Sequence, residues 1–146
     1  MKKLPGKIVL VDDQEQEKFL LEEALLEKQW DATIEHFSTA KAALEYLQKT
    51  QDDIFLIISD INMPVMDGLA FKRIIDQDDE LSQKAIPFIF ASTAASQDEV
   101  TEAYNYRVQG YFKKPKTVDT QAEMLDIIIR YWIINQHPRI QDISAI

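Results

Sequence analysis

Carboxylates directly follow two apolar segments of the chain, since Asp12 and Asp13 come after residues 8–11. Asp60 likewise comes directly after residues 54–59. In an open parallel sheet, the carboxyl ends of the strands open onto a common crevice, and such sheets bind their ligands there. Three carboxylates that converge at this edge repel one another unless a divalent cation lies among them. Because hard oxygen ligands select magnesium or calcium, the sequence predicts a small acidic metal site.

The elements that position these carboxylates alternate between strands and helices. Apolar patterns predict five strands at residues 7–11, 33–37, 54–59, 88–91 and 110–113. Five helices are predicted at residues 16–29, after Ser38, and at residues 68–76, 96–107 and 118–135. This alternation indicates an α/β doubly wound fold, a parallel sheet with helices on both faces. The strands that end at Asp13 and Asp60 are expected to be neighbours in its middle.

Local signals predict where several helices begin and end. Ser38, Ser96 and Thr120 are the expected N-caps of the second, fourth and fifth helices, because serine and threonine hydroxyls accept hydrogen bonds from the free N–H groups there. The third helix is expected to end in an acidic loop at residues 76–80.

Composition narrows the class of protein. The length of 146 residues fits one domain, and the formal charge of −9 argues against nucleic-acid binding, which needs clustered lysine and arginine. The absence of cysteine excludes disulfides and thiol chemistry. No segment approaches the roughly 18 uninterrupted apolar residues of a membrane span, and no signal region precedes the first strand. We expect a cytoplasmic protein.

The segment from Asp60 to Gly68 reads Asp-Ile-Asn-Met-Pro-Val-Met-Asp-Gly and is the most specific motif in the chain. Other motif residues lie at the ends of the first, fourth and fifth strands: Asp12, Asp13, Ser92, Lys114 and Pro115. Together they resemble the response-regulator receiver domain of two-component signalling, over roughly residues 7–135. The resemblance implies a (βα)5 flavodoxin-like or CheY-like fold with strand order 2-1-3-4-5. Residues 1–136 would form the receiver (phosphoacceptor) domain and residues 137–146 a C-terminal tail, with no output domain.

The resemblance also implies a role for each residue of the acidic site. Asp60 would accept a phosphoryl group from a histidine kinase or a histidine phosphotransfer protein. Asp13 would bind Mg²⁺ directly and Asp12 through a water molecule, with Asp60 and the backbone carbonyl of Asn62 as further ligands. Lys114 would pair with a phosphoryl oxygen as a point charge.

Two further residues match the family's switch. Ser92 matches the hydroxyl residue that binds the attached phosphoryl group, with Thr93 as the runner-up, and Tyr111 matches the aromatic residue that turns inward. Ala94, two residues after Ser92, cannot hydrogen-bond a hydrolytic water, so slow dephosphorylation is expected. The resemblance also implies structural roles in the loops for Pro64, Gly68 and Pro115. The Lys114–Pro115 peptide is expected to be cis, and Gly110 to lie in a loop that tolerates positive φ.

Simpler interpretations stay open beside these. Acidic residues at strand ends are often only solvated, and Asp67 is better explained as a helix cap beside Gly68 than as a ligand. A second interpretation of Tyr111 is that it is simply a core or edge aromatic residue. His36 and His137 have no companions at ligand spacing and are expected to be structural or solvated.

Three functions compete. The leading one is a stand-alone signalling module, not an enzyme with external substrates, that catalyses only its own phosphorylation and dephosphorylation. A magnesium-dependent phosphatase of the haloacid-dehalogenase type would need an Asp-x-Asp motif after its first strand, where this chain has adjacent Asp12 and Asp13. A pseudo-receiver that acts only as a scaffold would not need the complete set of site residues.

The last helix is apolar on more than one side. Its outer face would be an exposed interaction patch, or it would be covered by the tail, in which Ile140, Ile143 and Ile146 are spaced three apart. The resemblance also allows a homodimer through the face of the family's fourth helix, fifth strand and fifth helix (α4-β5-α5 in the family's numbering). The chain is expected to act through a downstream protein target.

Overall fold

The computed structural model describes residues 1–141, which contain seven strands and six helices. The strands are β1 (Lys2–Lys3), β2 (Lys7–Val11), β3 (Trp30–Asp31), β4 (Ile34–Phe37), β5 (Ile54–Ser59), β6 (Phe88–Ser92) and β7 (Gly110–Lys113). The helices are α1 (Gln16–Glu27), α2 (Ala40–Lys49), α3 (Gly68–Gln77), α4 (Asp79–Lys84), α5 (Gln97–Tyr104) and α6 (Val118–Ile134). Within this part of the chain, no helix combines the length and the apolar character needed to cross a membrane.

Five of the strands form one parallel sheet in the order β4-β2-β5-β6-β7. Counted along the sheet strands alone, this is the predicted order 2-1-3-4-5 of the doubly wound flavodoxin-like fold. β2 and β5 are neighbours near the middle, as expected. All six residues of β5 are buried, which explains why its sequence is continuously apolar rather than alternating.

Helices cover both faces of the sheet, and each face has its own apolar core. On one face, α1 and α6 pack against alternate strand residues such as Ile8, Leu10 and Ile58. On the other face, α2 to α5 pack against the intervening residues, such as Val9 and Ile57. This arrangement confirms the predicted layers and leaves the carboxyl ends of the strands free to carry a site.

A second, two-stranded parallel sheet of β1 and β3 was not predicted. Each strand has only two residues, and backbone hydrogen bonds such as that from Leu4 N to Asp31 O (2.8 Å) hold the pair together. A strand of two residues is too short to show periodicity, so no sequence signal exists for it.

The predicted N-cap of α5 is confirmed. The predicted N-caps of α2 and α6 are wrong, by one and three residues respectively. Ser96 Oγ accepts a hydrogen bond from the Glu99 backbone N–H (3.2 Å) at the start of α5. Thr39 rather than Ser38 caps α2, and Thr117 rather than Thr120 caps α6. In both cases a neighbouring threonine has the extended backbone that an N-cap requires.

The predicted acidic loop at residues 76–80 is also wrong. α3 continues to Gln77, and a separate helix, α4, begins directly afterwards. Asp78 caps it, because its Oδ1 atom accepts hydrogen bonds from the backbone N–H groups of Glu80 and Leu81, both at 3.0 Å. Asp79 and Glu80 therefore lie in the first turn of a helix, where negative charge is favourable.

The tail turns under the sheet rather than back along α6. His137 is 6% exposed, and its Nε2 lies 2.8 Å from the carbonyl oxygen of Phe55 on β5. Ile140 packs against the core that α1 and α6 share. The outer face of α6 stays exposed at Ile127 and nearby positions, so tail residues up to 141 do not cover it. Ile143 and Ile146 lie outside the described residues.

Candidate functional site

Asp12, Asp13 and Asp60 meet at the carboxyl edge of the sheet. Each offers one carboxylate oxygen, and these oxygens all lie within 4.8 Å of one another. The backbone joins the two strand ends directly, because Asp60 N donates a hydrogen bond to Val11 O (2.9 Å). The convergence expected from the sequence is therefore present, and its oxygen donor set suits a hard divalent cation.

Asp12 is the most buried of the three, with 1% of its surface exposed. One carboxylate oxygen accepts a hydrogen bond from Gln14 N (2.9 Å), and the other accepts one from Lys114 Nζ (2.7 Å). The ring of His36 lies 2.8 Å from the Asp12 carbonyl oxygen, so His36 is a structural contact. Asp12 thus links β2, the start of α1 and the end of β7.

Asp60 is half-buried, and burial raises the pKa of its carboxyl group. The neighbouring charge of Asp12 acts in the same direction. The ammonium of Lys114 and the backbone N–H groups of Ile61 and Asn62 oppose the shift. The Asp60 carboxylate therefore lies in an environment where added negative charge is costly and a cation is favourable.

Lys114 follows β7 and reaches across to the acidic cluster. Burial alone would lower the pKa of its ammonium, but the hydrogen bond and charge of Asp12, together with the charges of Asp60 and Glu17, raise it overall. The side chain is 14% exposed, so its charge is weakly screened by solvent. The ammonium is thus held at the cluster that the sequence predicted.

The loop after Asp60 takes its shape from close backbone contacts. Gly68 N donates to Ile61 O (2.8 Å), and a Cβ at Gly68 would lie 2.8 Å from the Ile61 Cα, so only glycine fits. Asn62 is exposed at the start of this loop. Asp67 caps α3 by accepting a hydrogen bond from Ala70 N (2.8 Å), which confirms it as a helix cap.

The middle of the same loop is a tight turn. Pro64 is exposed, and its carbonyl oxygen accepts a hydrogen bond from Met66 N (2.8 Å). The intervening Val65 has a φ of 70°. A hydrogen bond across a single residue of positive φ is the mark of the rare and strained γ-turn.

Ser92 and Tyr111 lie on adjacent strands. Ser92 is fully buried at the end of β6, and its Oγ accepts a hydrogen bond from Ala94 N (3.3 Å). The Tyr111 hydroxyl donates to the Ala94 carbonyl oxygen (2.5 Å), and burial raises the pKa of that hydroxyl. Its ring also packs against Phe90. Thr93 is exposed, so Ser92 has the more enclosed hydroxyl.

Two expectations about the backbone near Lys114 are wrong. The residues that the structure describes contain no cis peptide bond, so the Lys114–Pro115 bond is trans, the isomer that X–Pro bonds favour intrinsically. Gly110 is the first residue of β7 and does not have positive φ. A Cβ there would lie 2.8 Å from the ring of Phe112, so a lack of space is what favours glycine at this position.

Glu17 is a site residue that the sequence analysis missed. Its Oε1 atom lies 3.8 Å from Lys114 Nζ, and its side chain is 18% exposed. Burial raises the pKa of its carboxyl group, although the charge of Lys114 opposes this. Glu17 lies in the first turn of α1, where a glutamate is ordinary, so its type and position gave no signal of a role at the site.

A narrow cavity of about 40 Å³ runs inward from the acidic cluster, between the sheet and the two helices α1 and α6. Asp12, Asp60, Glu17 and Lys114 line its mouth, and Pro115 lies beside them. Most of the remaining lining is apolar: Leu10, Leu21, Ile58, Ile89, Ala91, Met124, Leu125 and Ile128. The charged groups therefore lie beside apolar side chains, and this low-polarity environment strengthens their interactions.

Comparisons of the sequence with protein families and with known proteins lead to the same family. The response regulator receiver domain matches residues 8–126 of the chain. The chemotaxis protein CheY-3 of Vibrio cholerae serotype O1 is 32% identical over 122 residues, which cover 84% of this chain and 90% of that protein. The DNA-binding transcriptional regulator NtrC of Escherichia coli K12 is 30% identical over 134 residues, but these cover only 27% of NtrC.

Solved structures of the same family share the fold. The phosphorylated cyanobacterial phytochrome response regulator RcpA superposes with a TM-score of 0.76 at 25% identity, over 90% of this chain and 96% of that one. The Mn²⁺-bound form of the response regulator Rcp1 gives a TM-score of 0.73 at 26% identity, over 88% of this chain and 94% of that one. The chain therefore belongs to the response regulator receiver domain family.

Proposed function

We propose that the chain is a phosphoacceptor of a two-component phosphorelay and receives a phosphoryl group on Asp60. The observation that carries this proposal is the convergence of Asp12, Asp13 and Asp60 within 4.8 Å, with the ammonium of Lys114 bonded to Asp12. Receiver domains are phosphoacceptor signalling domains rather than enzymes that turn over external substrates. The phosphodonor would be a histidine kinase or a histidine phosphotransfer protein.

The transfer needs little covalent chemistry from the protein. A carboxylate oxygen of Asp60 attacks the phosphorus of a phosphohistidine, the P–N bond breaks, and its electron pair returns to the imidazole nitrogen, which takes up a proton. The product is an acyl phosphate on Asp60. The chain's own contribution is to position the carboxylate and to supply the positive charge of Lys114 to a phosphoryl oxygen.

The donor set around Asp60 fits Mg²⁺. Asp13 would ligate the ion directly and Asp12 through water, with Asp60 and the carbonyl oxygen of Asn62 completing the protein ligands. When bound, Mg²⁺ offsets the repulsion between the carboxylates and the incoming phosphoryl oxygens. Support comes from the three carboxylates, which are unfavourable neighbours without a cation, and from the Mn²⁺-bound form of the similar Rcp1.

Incubation with a small phosphodonor tests the proposal. We expect the intact mass of the wild-type chain to rise by one phosphoryl group in the presence of Mg²⁺ and to stay unchanged when a chelator removes the metal. The Asp60→Asn variant should not react, because an amide oxygen is a poor nucleophile.

Asp67→Asn is the matched control, since Asp67 is an aspartate of the same loop that caps α3 instead of facing the cluster. It should react like the wild type. Equal labelling of the Asp60→Asn variant, or turnover of added phosphoesters without a stable adduct, would contradict the proposal. No reaction in any variant would favour a scaffold that only binds partners.

We also propose that phosphorylation acts through Ser92 and Tyr111. Ser92 would bind the attached phosphoryl group and draw in the loop that carries Ala94, to which both hydroxyl groups are bonded. A phosphoryl group adds about −1.5 to −2 charges, enough to shift such a two-state element. Slow dephosphorylation is expected from the apolar Ala94.

A phosphate analogue bound with Mg²⁺ provides the test of this switch. The amide resonances of Ser92, Ala94 and Tyr111 should shift, whereas those of the β1–β3 pair at the far edge should not. An unchanged spectrum around Ser92 would contradict the switch. Nearly complete switching needs about 5.5 kcal/mol of differential stabilisation, so we expect a partial shift that a partner completes.

The remaining assignments are proposals on the same basis. Residues 1–136 would act as the receiver and residues 137–146 as a tail. The chain would work in the cytoplasm and pass its signal to a protein target. A homodimer would form through the face of α5, β7 and α6, and α6 has exposed apolar residues at Ile127, Tyr131 and Ile134. The elution volume of the phosphorylated chain on a sizing column tests this. A dimer would elute earlier than a monomer of this chain.

A further inference from the structure

We propose that Glu17 is a positioning residue that restrains the Lys114 ammonium and thereby slows phosphoryl transfer to Asp60. This inference rests on the proposed function and deepens it, because it assigns a fourth carboxylate to the control of the same reaction. Glu17 is not one of the motif residues of the site.

The first argument is the geometry around the ammonium. Lys114 Nζ donates a hydrogen bond to Asp12 Oδ2 at 2.7 Å and lies 3.8 Å from Glu17 Oε1. The Lys114 and Glu17 side chains are only 14% and 18% exposed, so their attraction is weakly screened. Glu17 therefore holds one side of the cation that Asp60 must recruit when it carries a phosphoryl group.

The second argument is that no other cation near Glu17, among the described residues, can replace Lys114 as its partner. Among the residues that the structure describes, Lys114 is the only cation within ion-pair distance of its carboxylate. The cavity beside it is lined mainly by apolar side chains, with Gln121 as a polar neighbour. When Lys114 turns towards a phosphoryl oxygen, the Glu17 carboxylate loses its cation in this half-buried place, which opposes the transfer.

The third argument concerns charge. A phosphodonor is anionic and already meets three carboxylates at the cluster. Glu17 adds a fourth negative charge beside the lysine that should attract the donor. The same charge helps to attract a divalent cation, so Glu17 has opposite effects on metal binding and on phosphoryl transfer.

A purely structural role for Glu17 predicts something different. Glu17 lies in the first turn of α1, where a carboxylate interacts favourably with the helix dipole. If that were its only role, its replacement would lower the thermal stability and leave the rate of phosphorylation at saturating Mg²⁺ unchanged. The ratio of transfer rate to metal affinity therefore separates the two roles.

The test compares Glu17→Gln with Glu22→Gln in the full chain. Glu22 lies on the same helix, carries the same charge and pairs with Lys18 (3.7 Å) away from the cluster, so it is the matched control. Phosphoramidate is the donor, at saturating Mg²⁺ and about pH 8, well above the ordinary range of a carboxyl pKa. Intact mass gives the rate, calorimetric titration gives the Mg²⁺ affinity, and thermal unfolding reports the fold.

We expect Glu17→Gln to accept the phosphoryl group roughly three- to tenfold faster than the wild type and to bind Mg²⁺ about twofold more weakly, as the loss of one nearby, partly screened charge implies. Glu22→Gln should match the wild type in both. A Glu17→Gln rate equal to or below that of the wild type would overturn the role of Glu17 alone. A wild-type chain that takes no phosphoryl group would overturn the proposed function as well.

Discussion

At the scale of single residues, Val65 stores strain beside the acidic cluster. It has a φ of 70° and a fully exposed side chain, between Pro64 and Met66 in the loop that follows Asp60. A β-branched residue in this region of φ is a clear outlier, because its branched Cβ crowds the backbone. Such strain typically costs about 1–3 kcal/mol. The burial of the flanking Met63 helps to hold the loop in this conformation.

We predict that Val65→Asn raises the free energy of unfolding by about 1 kcal/mol, since asparagine tolerates positive φ far better than valine. Urea denaturation of the two proteins measures this difference. Val118→Asn, at an exposed valine without positive φ, is the control and should give no gain. An unchanged or reduced stability of Val65→Asn would mean that the turn is not strained.

The sequence identifies single site residues when each has its own signal. Asp12 and Asp60 are recognisable because a carboxylate ends a buried strand, and Lys114 because a proline follows it in a known motif. Glu17 gives no such signal, because a glutamate in the first turn of a helix is ordinary. Only the folded arrangement, in which α1 and α6 share one face of the sheet, brings its carboxylate to Lys114.

At the scale of elements, the tail is fastened to the sheet through one histidine. The His137 Nδ1 atom accepts hydrogen bonds from the backbone N–H groups of Arg139 and Ile140, both at 3.0 Å, so its Nε2 carries the proton and donates to Phe55 O. The ring stacks on Phe55 and meets Trp132 edge-on. This arrangement requires the neutral imidazole, because a protonated Nδ1 cannot accept.

The tail contact should therefore weaken in mild acid. Burial lowers the pKa of His137 below its ordinary value of 6.5; the charge of Arg139 adds to this, while Asp53 and the Phe55 carbonyl oppose it. The unfolded chain binds the proton more readily than the folded one. The stabilisation is thus complete above pH 6.5 and is lost as the pH falls from there through the folded pKa.

We predict that His137→Phe lowers the free energy of unfolding at neutral pH by about 1–3 kcal/mol, because it leaves the carbonyl oxygen of the buried Phe55 without its hydrogen bond. It should also lose less stability than the wild type between neutral and mildly acidic pH. Urea denaturation at several pH values measures both effects. His36→Phe is the control. It keeps the His137 contact, so its stability should fall in mild acid as that of the wild type does. Equal pH profiles for wild type and His137→Phe would contradict this account.

Element boundaries show where sequence signals compete. Two hydroxyl residues lie close together at the start of each helix, Ser38 and Thr39 at α2 and Thr117 and Thr120 at α6. In the structure, Thr39 and Thr117 have the extended backbone of an N-cap. The acidic segment after α3 has loop-like composition, yet Asp78 uses it to begin α4. The five strands of the main sheet were easier to predict, because buried strands such as β5 have continuous apolar sequences.

At the scale of the whole molecule, the order of the strands places the chemistry. β2 and β5 are neighbours, with β6 and β7 following on one side, so residues from distant parts of the chain reach one edge of the sheet. The formal charge of −9 makes the chain electronegative overall, and Lys114 is a cation held within that edge. A divalent cation and a phosphoryl group would each change the balance of charge there.

The most direct test of the central claim locates the phosphoryl group. The chain is incubated with a phosphodonor and Mg²⁺, and borohydride then reduces any acyl phosphate, which converts the phosphorylated aspartate to homoserine. Tandem mass spectrometry of the peptides identifies the position. We predict homoserine at Asp60 and at no other aspartate. Homoserine at Asp12, Asp13 or Asp67 instead, or none at all, would contradict the account.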